Sequence, residues 1–160
     1  MKNIFILLCT VFTLTMVTSI KGQHTKLPPF IMEMSNHQIF KTGQLPYGKP
    51  IVLIYFLPDC THCQLLTSEI IKHIKEFNKA SVAMVTYYPA AEVGRFVQKY
   101  GLDKYDNFYI GTESTGLFLK HYYHLTSLPF MALYTKNGDL VRLYHSEKDL
   151  TDLLQRLKAL

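Results

Sequence analysis

The feature that most restricts the fold is Ile51–Phe56, an unbroken apolar and β-prone run (IVLIYF) lying between Pro50 and Pro58. A strand with no polar alternation must be covered on both faces, so this one belongs in the interior of a sheet flanked by helices. The loop Leu57-Pro58-Asp59 follows. From Thr61 to about Phe77 the residues Leu65, Leu66, Ile70, Ile74 and Phe77 then recur at helical spacing. Ser81–Tyr87 (SVAMVTY) reads as a second buried strand. Pro89 opens a helix from Ala90 to about Tyr100, which Gly101 ends.

The remaining elements are shorter. Phe30–Met34 and Phe108–Ile110 read as strands, and Gly116 to His124 as a short helix. Pro129–Thr135 and Leu140–His145 are joined by the tight turn Asn137-Gly138-Asp139 and form a hairpin. Glu147 to about Lys158 closes the chain as an amphipathic helix with Leu150, Leu153, Leu154 and Leu157 on one face. Alternating strands and helices predict an α/β domain with a central mixed sheet and a terminal antiparallel hairpin. At 160 residues, 48% apolar and 18% charged, the chain suits one domain. The same figures exclude a disordered tail, a collagen-like chain and a multi-span membrane protein.

The N-terminal segment stands apart. Lys2 precedes an uncharged apolar stretch from Ile4 to Ile20, closed by Lys21 and Gly22. A basic start followed by an apolar run reads as a secretory signal over residues 1–22, cleaved after Ser19 or after Gly22. The alternative is an uncleaved membrane anchor, against which its threonines and serine count. Either version places residues 23–160 outside the cytoplasm, in a periplasm-like compartment. Lys2 and Lys21 are two of the 17 basic residues, so 15 face 12 acidic ones in the remainder. No Lys/Arg run interleaved with aromatics points to nucleic acid.

Three cysteines divide into Cys9, inside that leader, and the pair Cys60-Thr61-His62-Cys63 at the junction of buried strand and helix. A thiolate is the reactive form of cysteine, and a helix N-terminus favours an anion through its partial charge and unpaired N–H groups. Cys60 is therefore the expected attacking thiol and Cys63 the resolving one. Thr61 and His62 between them, with Asp59 just before, are expected to tune the redox poise: a protonated His62 favours the Cys60 thiolate, and Asp59 opposes it. Other uses of such a pair are an inert disulfide or half a zinc site, the latter needing two more ligands. Haem attachment would need His where Gln64 stands. His121 and His124, three apart, read as surface histidines on one helix face.

Strand, Cys-x-x-Cys, helix, strand, helix, then Ser127-Leu128-Pro129 opening a hairpin, resembles the thioredoxin superfamily over about Phe30 to Leu160. The leader, the Gly48-Lys49-Pro50 entry, the added strand and helix between Tyr87 and Leu128, and the Asn137-Gly138-Asp139 turn look more like its exported TlpA-like and redoxin members. The resemblance implies a thioredoxin-like fold with a strand-helix insertion before a cis-proline loop. Pro129 would be the cis-proline, and Leu128 and Pro129 would dock a partner's backbone beside Cys60. It further implies thiol-disulfide exchange with exported proteins, no bound cofactor or metal, and a membrane-embedded dithiol donor. Three positions depart from the pattern: Ile54 replaces a buried Asp six residues before Cys60, Leu66 replaces a Glu three after Cys63, and Asp59 replaces a Trp. No obvious buried acid is left to take a proton from Cys63. A binding module for copper or exported clients, using Cys60, Cys63 and one His, is the alternative without redox turnover.

Overall fold

A computed structural model describes residues 25–113 and 116–160. The proposed leader, Cys9 included, lies outside the described residues.

The order is β1 (Ile31–Met34), β2 (Ile39–Lys41), β3 (Ile51–Tyr55), α1 (Thr61–Lys72), α2 (Ile74–Phe77), β4 (Ser81–Thr86), α3 (Ala90–Tyr100), β5 (Phe108–Thr112), α4 (Phe118–Tyr122), β6 (Phe130–Tyr134), β7 (Leu140–Tyr144) and α5 (Leu150–Lys158). They build one seven-stranded mixed sheet in the order β2-β1-β5-β4-β3-β6-β7. The apolar run that leads the sequence is central: β3 is parallel to β4 and antiparallel to β6, and every residue of it is buried. Alternate residues of β3 feed two cores. Val52 and Ile54 pack with α1, α3 and α5; Leu53 and Tyr55 pack with Phe30, Leu119, Tyr123 and Phe130 on the other face.

Several local expectations hold. Gly101 ends α3 in the left-handed region (φ 60°) that a side chain rarely adopts. The β6–β7 hairpin turns at Gly138, and the closing helix buries Leu150, Leu153, Leu154 and Leu157 after a 3-10 turn at Glu147–Asp149. The inserted β5 and α4 precede the 128–129 peptide, with β5 paired in parallel to β4.

Three features differ from the sequence reading. A further strand, β2, pairs with β1 and forms the sheet edge. The helix read as continuous to Phe77 breaks at His73 (φ −105°, ψ 23°), whose N–H closes α1. Finally, α4 ends at Tyr122, and His124 lies beyond it with φ 51°, so His121 and His124 share no helix face. β1 also approaches β5 closely: a Cβ on Gly111 would stand 2.7 Å from the Glu33 carbonyl oxygen, so only glycine fits there without a shift.

Candidate functional site

β3 ends at Tyr55 and the chain turns through 57–60 into α1. The turn is tied at both ends: the Cys60 N–H donates to the Leu57 carbonyl (3.2 Å), and the Gln64 side-chain amide donates to the Pro58 carbonyl (2.8 Å). Cys60 is the N-cap of α1, with its sulfur accepting from the Cys63 N–H at 3.4 Å. Ser, Thr, Asp or Asn usually performs that task. A sulfur in the cap position faces the unpaired N–H groups and positive end of the helix, the surroundings that stabilise a thiolate. Its 3.9 Å approach to the Leu128 carbonyl oxygen brings in the second loop of the site.

The two thiols are not equivalent. Both are unbridged; Cys60 is half-buried and Cys63 is 0% exposed. Cys63 packs with Ile54, Phe56, Leu66 and Ile70, and its sulfur accepts from the Leu57 N–H at 3.5 Å. Burial pushes the Cys63 thiol far above its ordinary value; its bond to Cys60 and the charges of Cys60 and Asp59 add to this, with the Leu57 N–H opposing. One sulfur thus sits half-buried in the helix cap, and the other is held as a neutral thiol beneath it.

The flanking residues each find a different partner. Asp59 is exposed and accepts from the Tyr88 hydroxyl at 2.6 Å, which pushes the Tyr88 phenol up to about 12. His62 is exposed and turns to Glu147 at 3.0 Å, joining α1 to the turn before α5. Thr61 is exposed at the first helical position. Leu128 is half-buried, Pro129 is buried, and the peptide between them is cis. Among the described residues no group of three His, Cys, Asp or Glu side chains could hold a metal.

A groove of about 360 Å³ opens beside Cys60, walled by Tyr55, Leu57, Tyr87, Lys120, Leu125 and Leu128. A larger hollow of about 450 Å³ lies at the other end of β3, near Ile51 and Tyr47, away from both cysteines. Beneath the groove is a buried acid that sequence reading missed. Glu113, 8% exposed, accepts from the Tyr55 hydroxyl (2.6 Å) and from the Leu119 N–H (2.8 Å) at the start of α4. Burial, then Glu113, pushes the Tyr55 phenol far above its ordinary range. Tyr55 belongs to the core on the sheet face away from Cys63, so this acid lies on the other side of the sheet from the thiol pair. The one hint in the sequence was a tyrosine ending an otherwise aliphatic strand.

Solved structures share the fold that carries this site. A secreted Mycobacterium tuberculosis disulfide oxidoreductase, described as homologous to E. coli DsbE, superposes with a TM-score of 0.65 at 20% identity, over 82% of this chain and 96% of that one. The exposed lipoprotein thioredoxin of Streptococcus pneumoniae gives 0.60 at 22% identity, covering 83% and 100%. The thioredoxin domain of a Bacteroides vulgatus thiol-disulfide oxidoreductase gives 0.68 at 13%, covering 84% and 96%. The fold is thioredoxin-like. No protein-family model matches the sequence, and no curated protein matches it. In this fold the Cys60 sulfur at the cap of α1 lies against the loop that carries the cis Leu128–Pro129 peptide.

Proposed function

We propose that the protein is an extracytoplasmic thiol-disulfide oxidoreductase. The Cys60 thiolate attacks one sulfur of a partner disulfide, so that the partner's S–S bond breaks, a mixed disulfide forms and one partner thiolate leaves. Cys63 then gives up its proton, which ends on the partner thiolate released in the first step, and attacks the Cys60 sulfur. The mixed disulfide breaks, the second partner thiolate leaves, and Cys60–Cys63 becomes a disulfide. Two electrons have passed to the partner, and a dithiol protein, membrane-embedded in this reading, restores the pair. The reverse sequence oxidises a partner dithiol.

The observation that carries this reading is the asymmetry of the pair, with Cys60 sulfur in the cap of α1 and Cys63 sulfur buried under the same turn. The Leu128–Pro129 loop, 3.9 Å from the Cys60 sulfur at its carbonyl, is where the partner's backbone docks. His62 and Asp59 set the redox poise through their charges, each moderated by its partner Glu147 or Tyr88. The export assignment rests on the uncharged run Ile4–Ile20, and two of the similar structures are themselves described as secreted or exposed. The reading is tested by insulin reduction with dithiothreitol. Catalysis by the wild type and none by Cys60→Ser is expected; activity surviving in Cys60→Ser overturns it.

A further inference from the structure

The carboxylates around Cys60 each accept a hydrogen bond from within the fold. The Asp59 carboxylate accepts from Tyr88, Glu147 is joined to His62, and Glu113 is closed beneath the groove by Tyr55 and the first turn of α4. Apart from the Cys60 sulfur, Lys120 is the one ionisable side chain other than tyrosine on the groove wall, and no carboxylate among the described residues forms an ion pair with it. Its ammonium stands 5.2 Å from the centre of the Tyr87 ring, which forms part of the same wall. The ring face holds the cation without neutralising it. Glu113 fixes its base, since Oε1 of that carboxylate lies 3.5 Å from the Lys120 N–H while the side chain runs to Tyr87.

We infer that Lys120 is a specificity-determining residue that selects partner disulfides with an acidic residue within two positions of the attacked cysteine. This rests on the redox reading above. The groove begins at Cys60 itself, and its volume of about 360 Å³ admits one or two side chains of a docked segment. Successive Cα atoms are about 3.8 Å apart, so a residue one or two positions from the bonded cysteine falls within it. Tyr55, Leu57 and Leu125 cover the apolar stem of such a side chain, and Lys120 meets its carboxylate at the rim. A basic neighbour would instead meet the ammonium as a like charge.

The test uses two disulfide-bonded peptides, identical except that Asp or Asn flanks each cysteine, with dithiothreitol supplying two electrons per disulfide. The readout is the ratio of kcat/KM between them, which cancels any general loss of activity in a variant. Wild type is expected to favour the Asp peptide by roughly fivefold at low salt, the upper range for an exposed ion pair. The ratio falls to about one in Lys120→Met, inverts in Lys120→Glu, and shrinks in 0.5 M salt. Equal rates on both peptides in the wild type, or a preference that survives in Lys120→Glu, overturn the inference alone. No turnover of either peptide overturns the redox reading and the inference with it.

Discussion

Glu113→Ala is expected to be among the most damaging single changes outside the cysteine pair. The Glu113 carboxylate is the acceptor for two buried donors: the hydroxyl of Tyr55, a residue 1% exposed, and the N–H of Leu119, a residue 0% exposed. Removing the acceptor strands both. Each buried, unsatisfied neutral donor costs about 1–3 kcal/mol, so the pair costs about 2–6 kcal/mol and about 3 kcal/mol is the working value. A domain of this size has a total stability of roughly 5–15 kcal/mol, so the loss is a large fraction of it. With an m-value of about 2 kcal/mol/M, the urea midpoint falls by about 1.5 M. Glu113→Gln keeps a carbonyl acceptor and loses less. Tyr55→Phe removes one donor and leaves the Leu119 bond in place, and a double-mutant cycle between the two positions reports their coupling. A Glu113→Ala midpoint within about 0.2 M of wild type would refute the assignment of this carboxylate as a buried acceptor that anchors α4.

Other consequences are open to measurement. Burial raises the Cys63 thiol and the Tyr55, Tyr123, Tyr134 and Tyr144 phenols in the folded protein, Tyr134 up to about 12. Their stabilisation is complete below the unfolded values, about 8.5 for Cys and 10 for Tyr, and is lost above them as the unfolded chain releases protons that the folded one retains. The urea midpoint therefore declines steadily above about pH 9, and a flat midpoint from pH 8 to 11 would contradict this. His62 occupies the first turn of α1, where proline lacks no needed hydrogen bond, so His62→Pro folds and loses the imidazole that, when protonated, favours the Cys60 thiolate. Its reduction potential in a glutathione titration is expected to fall by roughly 30 mV, a tenfold change in equilibrium constant, and an unchanged potential removes His62 from the redox poise.

Features carried by contiguous residues were legible in the sequence. The β3 run is apolar at every position and α1 follows it at helical spacing, so strand and thiol pair are legible from the residues, whereas the cis Leu128–Pro129 peptide is expected only through the resemblance to the thioredoxin superfamily. Features created by pairing across the chain were not. β2 has three residues and exists because Phe40 faces Met32 of β1. The His62–Glu147 contact spans 85 residues and the Asp59–Tyr88 contact 29, and no local pattern marks either. The break at His73 was hidden because Ile74 and Phe77 continue the apolar spacing of α1 through it. Glu113 reads as an ordinary loop carboxylate until Tyr55, 58 residues away, is brought against it.

The central claim is the division of labour between the two cysteines, and trapping addresses it most directly. Reduced Cys63→Ser, offered an excess of a disulfide-bonded protein, is expected to accumulate a mixed disulfide that peptide mapping assigns to Cys60, because the buried serine cannot resolve it. Reduced Cys60→Ser is expected to accumulate none, since the Cys63 sulfur is closed to solvent beneath the 57–60 turn. A mixed disulfide formed at Cys63 in the Cys60→Ser protein, or none formed in Cys63→Ser, would contradict the account.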